Sequence, residues 1–213
     1  MKMDTKGFRK LITTHFKPEL NELGFMGNDH HFVKYKEKHF IYTLVIQSSK
    51  HGGSCIMEMG THLDFLVNTP GKRITVYDCE FRKRVQLKPT LWGKLFEGSI
   101  EKWHSYGEGE EEAIKTINEM RNLFENQGMK YYKQFNNLDS SLLAISLKEI
   151  VSGSKRLYEL GSPPKIRLAL ILAKIHKYLG NNEKAREFAS WGLNNTGNAK
   201  TLNEEFSMII QEV

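Results

Sequence analysis

Two apolar stretches, HFIYTLVIQ (residues 39–47) and SCIMEMGTHL (54–63), are separated by six residues that include Gly52–Gly53. A connection this short joins antiparallel strands, because a parallel crossover needs a dozen residues or more. In the first strand Phe40, Tyr42, Leu44 and Ile46 line one face, and Ile41, Thr43 and Val45 line the other. Both faces therefore expect cover. Gly60, inside the second strand, marks a bulge or a close backbone approach. HHFVKYK (30–36) before this pair and ITVYDC (74–79) after it read as further strands. Together they predict an antiparallel meander of three to five strands.

Helical periodicity surrounds the meander. Phe8, Leu11, Ile12, Phe16, Leu20 and Leu23 recur at three- and four-residue steps, predicting a helix over residues 5–23 that Pro18 kinks or restarts. Gly24 suits a left-handed cap, with Phe25 folding back onto the helix. EGEEEAIKTINEMRNLFENQG (108–128) places four glutamates at a helix N-terminus and a stripe of Ile114, Ile117, Met120 and Phe124 behind them. Gly128 is expected to end it, with another helix through Tyr131, Tyr132 and Phe135. Between the meander and this helix, Trp92, Phe96, Trp103 and Tyr106 with interspersed glycines predict an ordered loop with some helix.

The polar stretch NNLDSS (136–141) marks a domain boundary, dividing the chain into an α+β domain over 1–136 and a helical region over 137–213. In the latter, IRLALILAKIHKYLGNNEKAREFASWGLNNTG resembles one tetratricopeptide unit through Leu172, Ala173, Leu179, Gly180, Ala185, Ala189 and Leu193. A single copy cannot bury its own stripe, so the hairpin is expected to pack on the first domain. The fold class is α+β: N-terminal helix, antiparallel β-meander, long helix, then C-terminal helical hairpins.

At 213 residues the chain needs no covalent staple. It has no apolar run near the ~20 residues that span a bilayer, and its start lacks an apolar signal core, so neither a membrane role nor a signal peptide is expected. Two cysteines, Cys55 and Cys79, read as buried thiols in a reducing cytoplasm. Net charge is +6, and all of the excess lies in residues 1–100, which carry 16 Lys/Arg against 10 Asp/Glu. That asymmetry admits either an anion-facing surface or a scattered solubilising one.

Motifs for common chemistries are missing. PGKRIT lacks the upstream glycine spacing of a phosphate loop, and there is neither a G-x-S-x-G elbow nor an H-E-x-x-H helix. GEGEEE is an acidic helix start that would repel a phosphate. The residues that could ligate a metal are His51, Cys55, His62, Asp64 and Cys79. Cys55 and His62 lie seven strand positions apart, ~23 Å, on opposite faces, so no metal and no cofactor are expected. His30 and His31 are adjacent and on a strand would point oppositely; His176 reads as a packed or rim residue. Cations near Tyr77, Phe81 and Trp92 can stack and neutralise nucleic acid, although these aromatics are also core candidates.

The candidate binding residues are Arg82, Arg84, His62 and Trp92. In an extended YDCEFRKRVQL (77–87), Arg82 and Arg84 share a face with Glu80, while Phe81 and Val85 face the core, with Lys83 at the edge of their face and its charge reaching water. Each guanidinium can hold a carboxylate or a phosphate by two hydrogen bonds. Asp78 or Glu80 would make an internal ion-pair cluster; an external anion would make a ligand clamp.

FRKLITTHFKPELNELGF, LVIQSSKHGGSCIMEMGTH and DCEFRKRV, followed by the acidic helix, resemble a bacterial family catalogued as domain of unknown function 4304, over roughly residues 5–136. The most specific pieces are Pro18 with Gly24–Phe25, the GGSCIMEMG strand with Gly60, and Cys79 with Arg82 and Arg84. Ser54 and Cys55 depart from the apolar residues usual there. The resemblance implies an α+β domain with antiparallel strands and no particular reaction; by family-level analogy, small stand-alone bacterial domains often serve as binding or immunity-like modules. The leading reading is a non-catalytic module for a protein partner. The alternatives are a nucleic-acid-associated protein using the basic half, and an enzyme whose site is scattered in sequence.

Overall fold

The expected hairpin forms the centre of the molecule. The computed structural model describes residues 3–36, 38–66, 71, 73–87 and 100–213. β3 (Phe40–Ser48) pairs antiparallel with β4 (Ser54–Leu63) without a register break, from Phe40↔Leu63 to Ser48↔Cys55. β1 (Met26–Asn28) and β2 (His31–Tyr35) precede them, and β5 (Phe81–Arg84) follows, in the order β1-β2-β3-β4-β5. β8 (His104–Ser105) adds a sixth strand against the start of β4, while β6 (Gln86–Leu87) and β7 (Ile100–Glu101) form a separate ribbon. β1 was not anticipated from the pattern.

ITVYDC is not a strand. Val76–Asp78 is a single 3-10 turn. The Thr75 N–H and hydroxyl both donate to Asp78 Oδ2, at 2.9 and 2.8 Å, and such local bonds outcompete a strand ladder. In the described parts of residues 85–107 short strands stand where some helix was expected.

One sheet face carries Phe40, Tyr42, Leu44, Ile46, Cys55, Met57, Met59 and Leu63, all buried in the main core. Over it lie α1 (Thr5–His15), α2 (Lys17–Glu22) and α3 (Glu110–Leu123). The α1–α2 break falls at Phe16, with Pro18 in the first turn of α2. Gly24, at φ +82°, caps α2, and the Phe25 N–H donates back to Leu20 O. Gly128 does not end the long helix. Phe124–Gly128 is a π-turn that runs on into α4 (Met129–Lys133). A Cβ on Gly128 would lie 2.7 Å from the Phe124 ring and 3.2 Å from Met59 Sδ, so glycine here serves close packing on the sheet. Tyr42 and Tyr132 stack at 4.6 Å, and their hydroxyls bond across to backbone carbonyls, tying α4 to the sheet.

The opposite face is covered differently. Residues 73–79 cross it, burying Ile74 and Cys79 against Val33 and Ile41. Gly60 permits this: a Cβ there would lie 2.6 Å from Thr43 Oγ1 and 2.8 Å from Cys79 Sγ. The glycine marks a close approach, and the register shows no bulge at it.

After residues 136–141 come α5 (Leu147–Ser152), α6 (Lys155–Glu159), α7 (Lys165–Tyr178), α8 (Asn182–Asn195) and α9 (Lys200–Glu212). Leu142, Ile145, Ile150, Leu168, Leu172, Phe188 and Phe206 join the same buried cluster as Phe8 and Met57. Leu172, Ala173, Ala185 and Ala189 are fully buried between α7 and its neighbours, whereas Leu179 is exposed. No helix among the described residues is long and apolar enough to cross a membrane.

Candidate functional site

β5 alternates as an extended segment must. Phe81 and Val85 are buried in the main core, and Arg82 and Arg84 project from the opposite face. Their carboxylate partner is neither Asp78 nor Glu80. Asp78 is engaged in its own turn, and Glu80 accepts from Arg167 Nη1 on α7 at 2.5 Å. The partner is Glu58, the one acid in β4, which lies opposite Arg84 in register. Its carboxylate sits 3.6 Å from Arg82 Nε and 3.4 Å from Arg84 Nε. Glu101 on β7 takes Arg84 Nη1 with both oxygens, at 3.0 and 3.1 Å. Burial works against the Arg84 charge, but the bond to Glu101 and the Glu58 and Glu101 carboxylates outweigh it and hold the guanidinium above its ordinary pKa.

Glu58 is the buried centre of this cluster, its side chain 6% exposed, while the Arg82 and Arg84 side chains are 43% and 37% exposed. The carboxylate thus depends on the arginines, and each arginine keeps an outer side turned to solvent. Lys83, on the core side, runs out to α6, where its ammonium lies 5.0 Å over the Tyr158 ring and 3.4 Å from the Glu159 carbonyl.

The C-terminal region closes the outer edge of β5. A Cβ on Gly161 would lie 2.1 Å from the Arg82 carbonyl oxygen, so the α6–α7 connection rests directly on the strand backbone. Between this connection and the sheet face lies a cleft of about 660 Å³, with Glu58, Tyr77, Arg82, Arg84, Tyr158 and Arg167 in its walls. Cys79 also lines it. Burial pushes that thiol up to about 12, so it stays protonated at neutral pH and is a poor nucleophile.

His62 shares the face of Gly60 and Arg82 but belongs to a neighbouring cavity of about 430 Å³, which it lines with Asp78, Lys174 and Glu205. Glu80 and Arg167 line both cavities, and their ion pair stands between them. The structure therefore brings Arg82 and Arg84 together and sets His62 apart. Trp92 lies outside the described residues. Cys55 is in the main core beside Met120, on the sheet face opposite His62. Among the described residues no group of three or more His, Cys, Asp or Glu is placed to hold a metal. His176 is buried and stacked on Phe188 at 5.5 Å.

Sequence reasoning missed Glu58, Glu101, Tyr158 and Arg167. A signal existed for Glu58 alone, as a single acid within an apolar strand, on the face of Gly60.

Fold and site together define an α+β domain whose antiparallel sheet, backed by helices, carries an arginine–carboxylate cleft at an outer strand. The chain belongs to the family described as domain of unknown function DUF4304, whose model matches residues 16–134. No curated protein and no solved structure matches it. The family span supplies Glu58, Arg82, Arg84 and Glu101, whereas Tyr158, Gly161 and Arg167 lie beyond it. The cleft is thus built jointly by the family domain and the helices that follow.

Proposed function

We propose that the protein is a non-catalytic binding module that takes a mixed-charge polypeptide segment of a partner protein into the cleft beside β5. One observation carries this reading: Arg82, Lys83, Arg84 and Arg167 line the cleft together with Glu58, Glu80 and Glu101. Both signs are presented, so a segment bearing both is matched and like-charge neighbours are rejected. The exposed rings of Tyr77 and Tyr158 add apolar area at the rim, the residue type that most often anchors protein interfaces. The protonated Cys79 favours binding over nucleophilic catalysis. The buried free thiols fit a reducing cytoplasm.

Nucleic acid is the second reading, favoured by the positive charge of the first half of the chain. Three carboxylates in the cleft weigh against it there, since they repel a phosphate backbone.

A peptide array probed with the wild-type chain, Arg82→Gln and Arg167→Gln tests the proposal. Peptides carrying both charges should bind and should weaken at least tenfold with either variant, measured at a temperature where both variants remain folded. Peptide binding indifferent to both variants overturns it. So does capture of single-stranded DNA in place of peptide at ~50 mM salt, with the steep salt dependence of counterion release.

A further inference from the structure

A second polar cluster lies around the β1–β2 turn, with His31 on the same sheet face as the cleft. His31, Val45, Glu58 and Arg84 occupy one row across β2, β3, β4 and β5. At ~4.8 Å per strand, His31 stands about 14 Å from Arg84; it does not line the cleft, although Tyr77, which does, is its neighbour. His30 precedes β2 in the β1–β2 turn, so it does not alternate with His31 as two strand residues would. The two rings instead lie 4.2 Å apart at 53°. Arg73 reaches the same place from the segment that crosses the face, its Nη2 donating to the His31 carbonyl. Arg9 comes from α1, near enough for its charge to act on both imidazoles.

Two atoms of this cluster are left over. Arg9 Nε and His30 Nδ1 are both shut off from solvent, and neither has a hydrogen-bond partner among the described residues. Buried donors are nearly always satisfied, and an exception points to an ion or water at the site. The surrounding charge says which. Burial, then His31 and Arg9, push His30 down to about 4. Burial, then Arg73 and Arg9, lower His31. Among the described residues, Asp29 in the turn, exposed, acts the other way on His30, and Tyr77 meets His31 edge-on at 6.3 Å.

We propose that Arg9, His30, His31 and Arg73 form an oxyanion site for a phosphoryl group. Guanidinium forks from two elements suit a tetrahedral dianion, and the imidazole N–H groups complete the donors. A bound dianion supplies an acceptor for Arg9 Nε and for His30 when its proton is on Nδ1, and it offsets the positive charge of Arg9 and Arg73 that bears on both imidazoles. This site is separate from the peptide cleft and stands or falls independently of it.

The test is a titration of the full chain, followed through the histidine C–H NMR signals, with inorganic phosphate, sulfate and phosphoserine against chloride at matched ionic strength. Phosphate and sulfate should shift His30 and His31 saturably and raise both pKa values. Sulfate, whose charge is constant here, should bind more tightly at pH 5.5 than at pH 7.5. Tighter binding of phosphoserine than of phosphate assigns the phosphoryl group to a larger molecule, and the reverse assigns a free anion. Arg9→Gln and Arg73→Gln should each weaken binding at least fivefold, while Lys115→Gln, exposed on α3, should not. Should Arg9→Gln fail to fold, the exposed Arg73 decides. Shifts no larger than those with chloride, or binding unchanged in Arg73→Gln, overturn the proposal.

Discussion

Glu58 on β4 lies opposite Arg84 on β5, and its buried carboxylate is held between Arg84 at 3.4 Å and Arg82 at 3.6 Å. The arrangement is unequal. Arg84 also has both oxygens of Glu101, whereas Arg82 has one long contact. Lysine keeps the charge but loses the planar fork. Arg84→Lys is therefore expected to cost about 1 kcal/mol and Arg82→Lys less than half of that. Glu58→Gln leaves two guanidinium groups facing a neutral amide and should cost about 1–3 kcal/mol. Denaturant midpoints read all three. Equal losses for the two arginine variants would contradict the asymmetry.

Gly161 is the hinge pin of the cleft. Its φ of +103° disfavours any side chain, and an added Cβ would strike the Arg82 carbonyl. Gly161→Ala should lower stability by ~2 kcal/mol or more. It should also lift the α6–α7 connection off β5 and abolish peptide binding. Retained binding at wild-type stability would show that the connection does not shape the cleft.

The domain boundary expected from the sequence at residues 136–141 is open to a direct test. Phe135 before it and Leu142 and Ile145 after it are buried in one cluster. A protease acting under native conditions should release no stable, soluble 142–213 fragment. Rapid appearance of that fragment would mean that the helical region folds alone and only rests on the sheet domain.

The parts of the molecule that were legible in the sequence are those set by local rules. Alternation in residues 39–47 gives both faces of β3, and Pro18 with Gly24–Phe25 gives the α1–α2 break and its cap. The same alternation puts Arg82 and Arg84 side by side. Their partner was not legible, because Glu58 meets them only through the β4–β5 register, which no local pattern sets. Arg167 and Tyr158 come from some eighty residues away in the chain, and no pattern within α6 or α7 points to a strand. Two local readings failed for one reason, tertiary or side-chain bonds overriding propensity. Thr75 and Asp78 wind a β-branched segment into a turn, and Gly128 packs on Met59 inside a helix that it was expected to end.

His104 makes stability depend on pH. It is buried on β8, and among the described residues neither ring nitrogen has a hydrogen-bond partner. Burial pushes its pKa from 6.5 down to about 4, against the pull of the Glu119 carboxylate 4.0 Å away and with a further push from Lys102. In the unfolded chain the imidazole takes its proton near 6.5. Below that pH the unfolded state binds more protons than the folded one, so stability falls as pH drops through 6.5 and goes on falling to about 4, where the folded imidazole also protonates. His104→Leu removes this contribution together with two unsatisfied polar atoms. Melting curves between pH 7.5 and 4.5 should show the variant no less stable at the upper end and clearly less acid-sensitive. Some slope must remain, because burial lowers His30, His31 and His176 as well. An acid slope in His104→Leu equal to that of the wild type would mean that the buried imidazole is protonated in the folded state, drawing on Glu119 as its counter-ion.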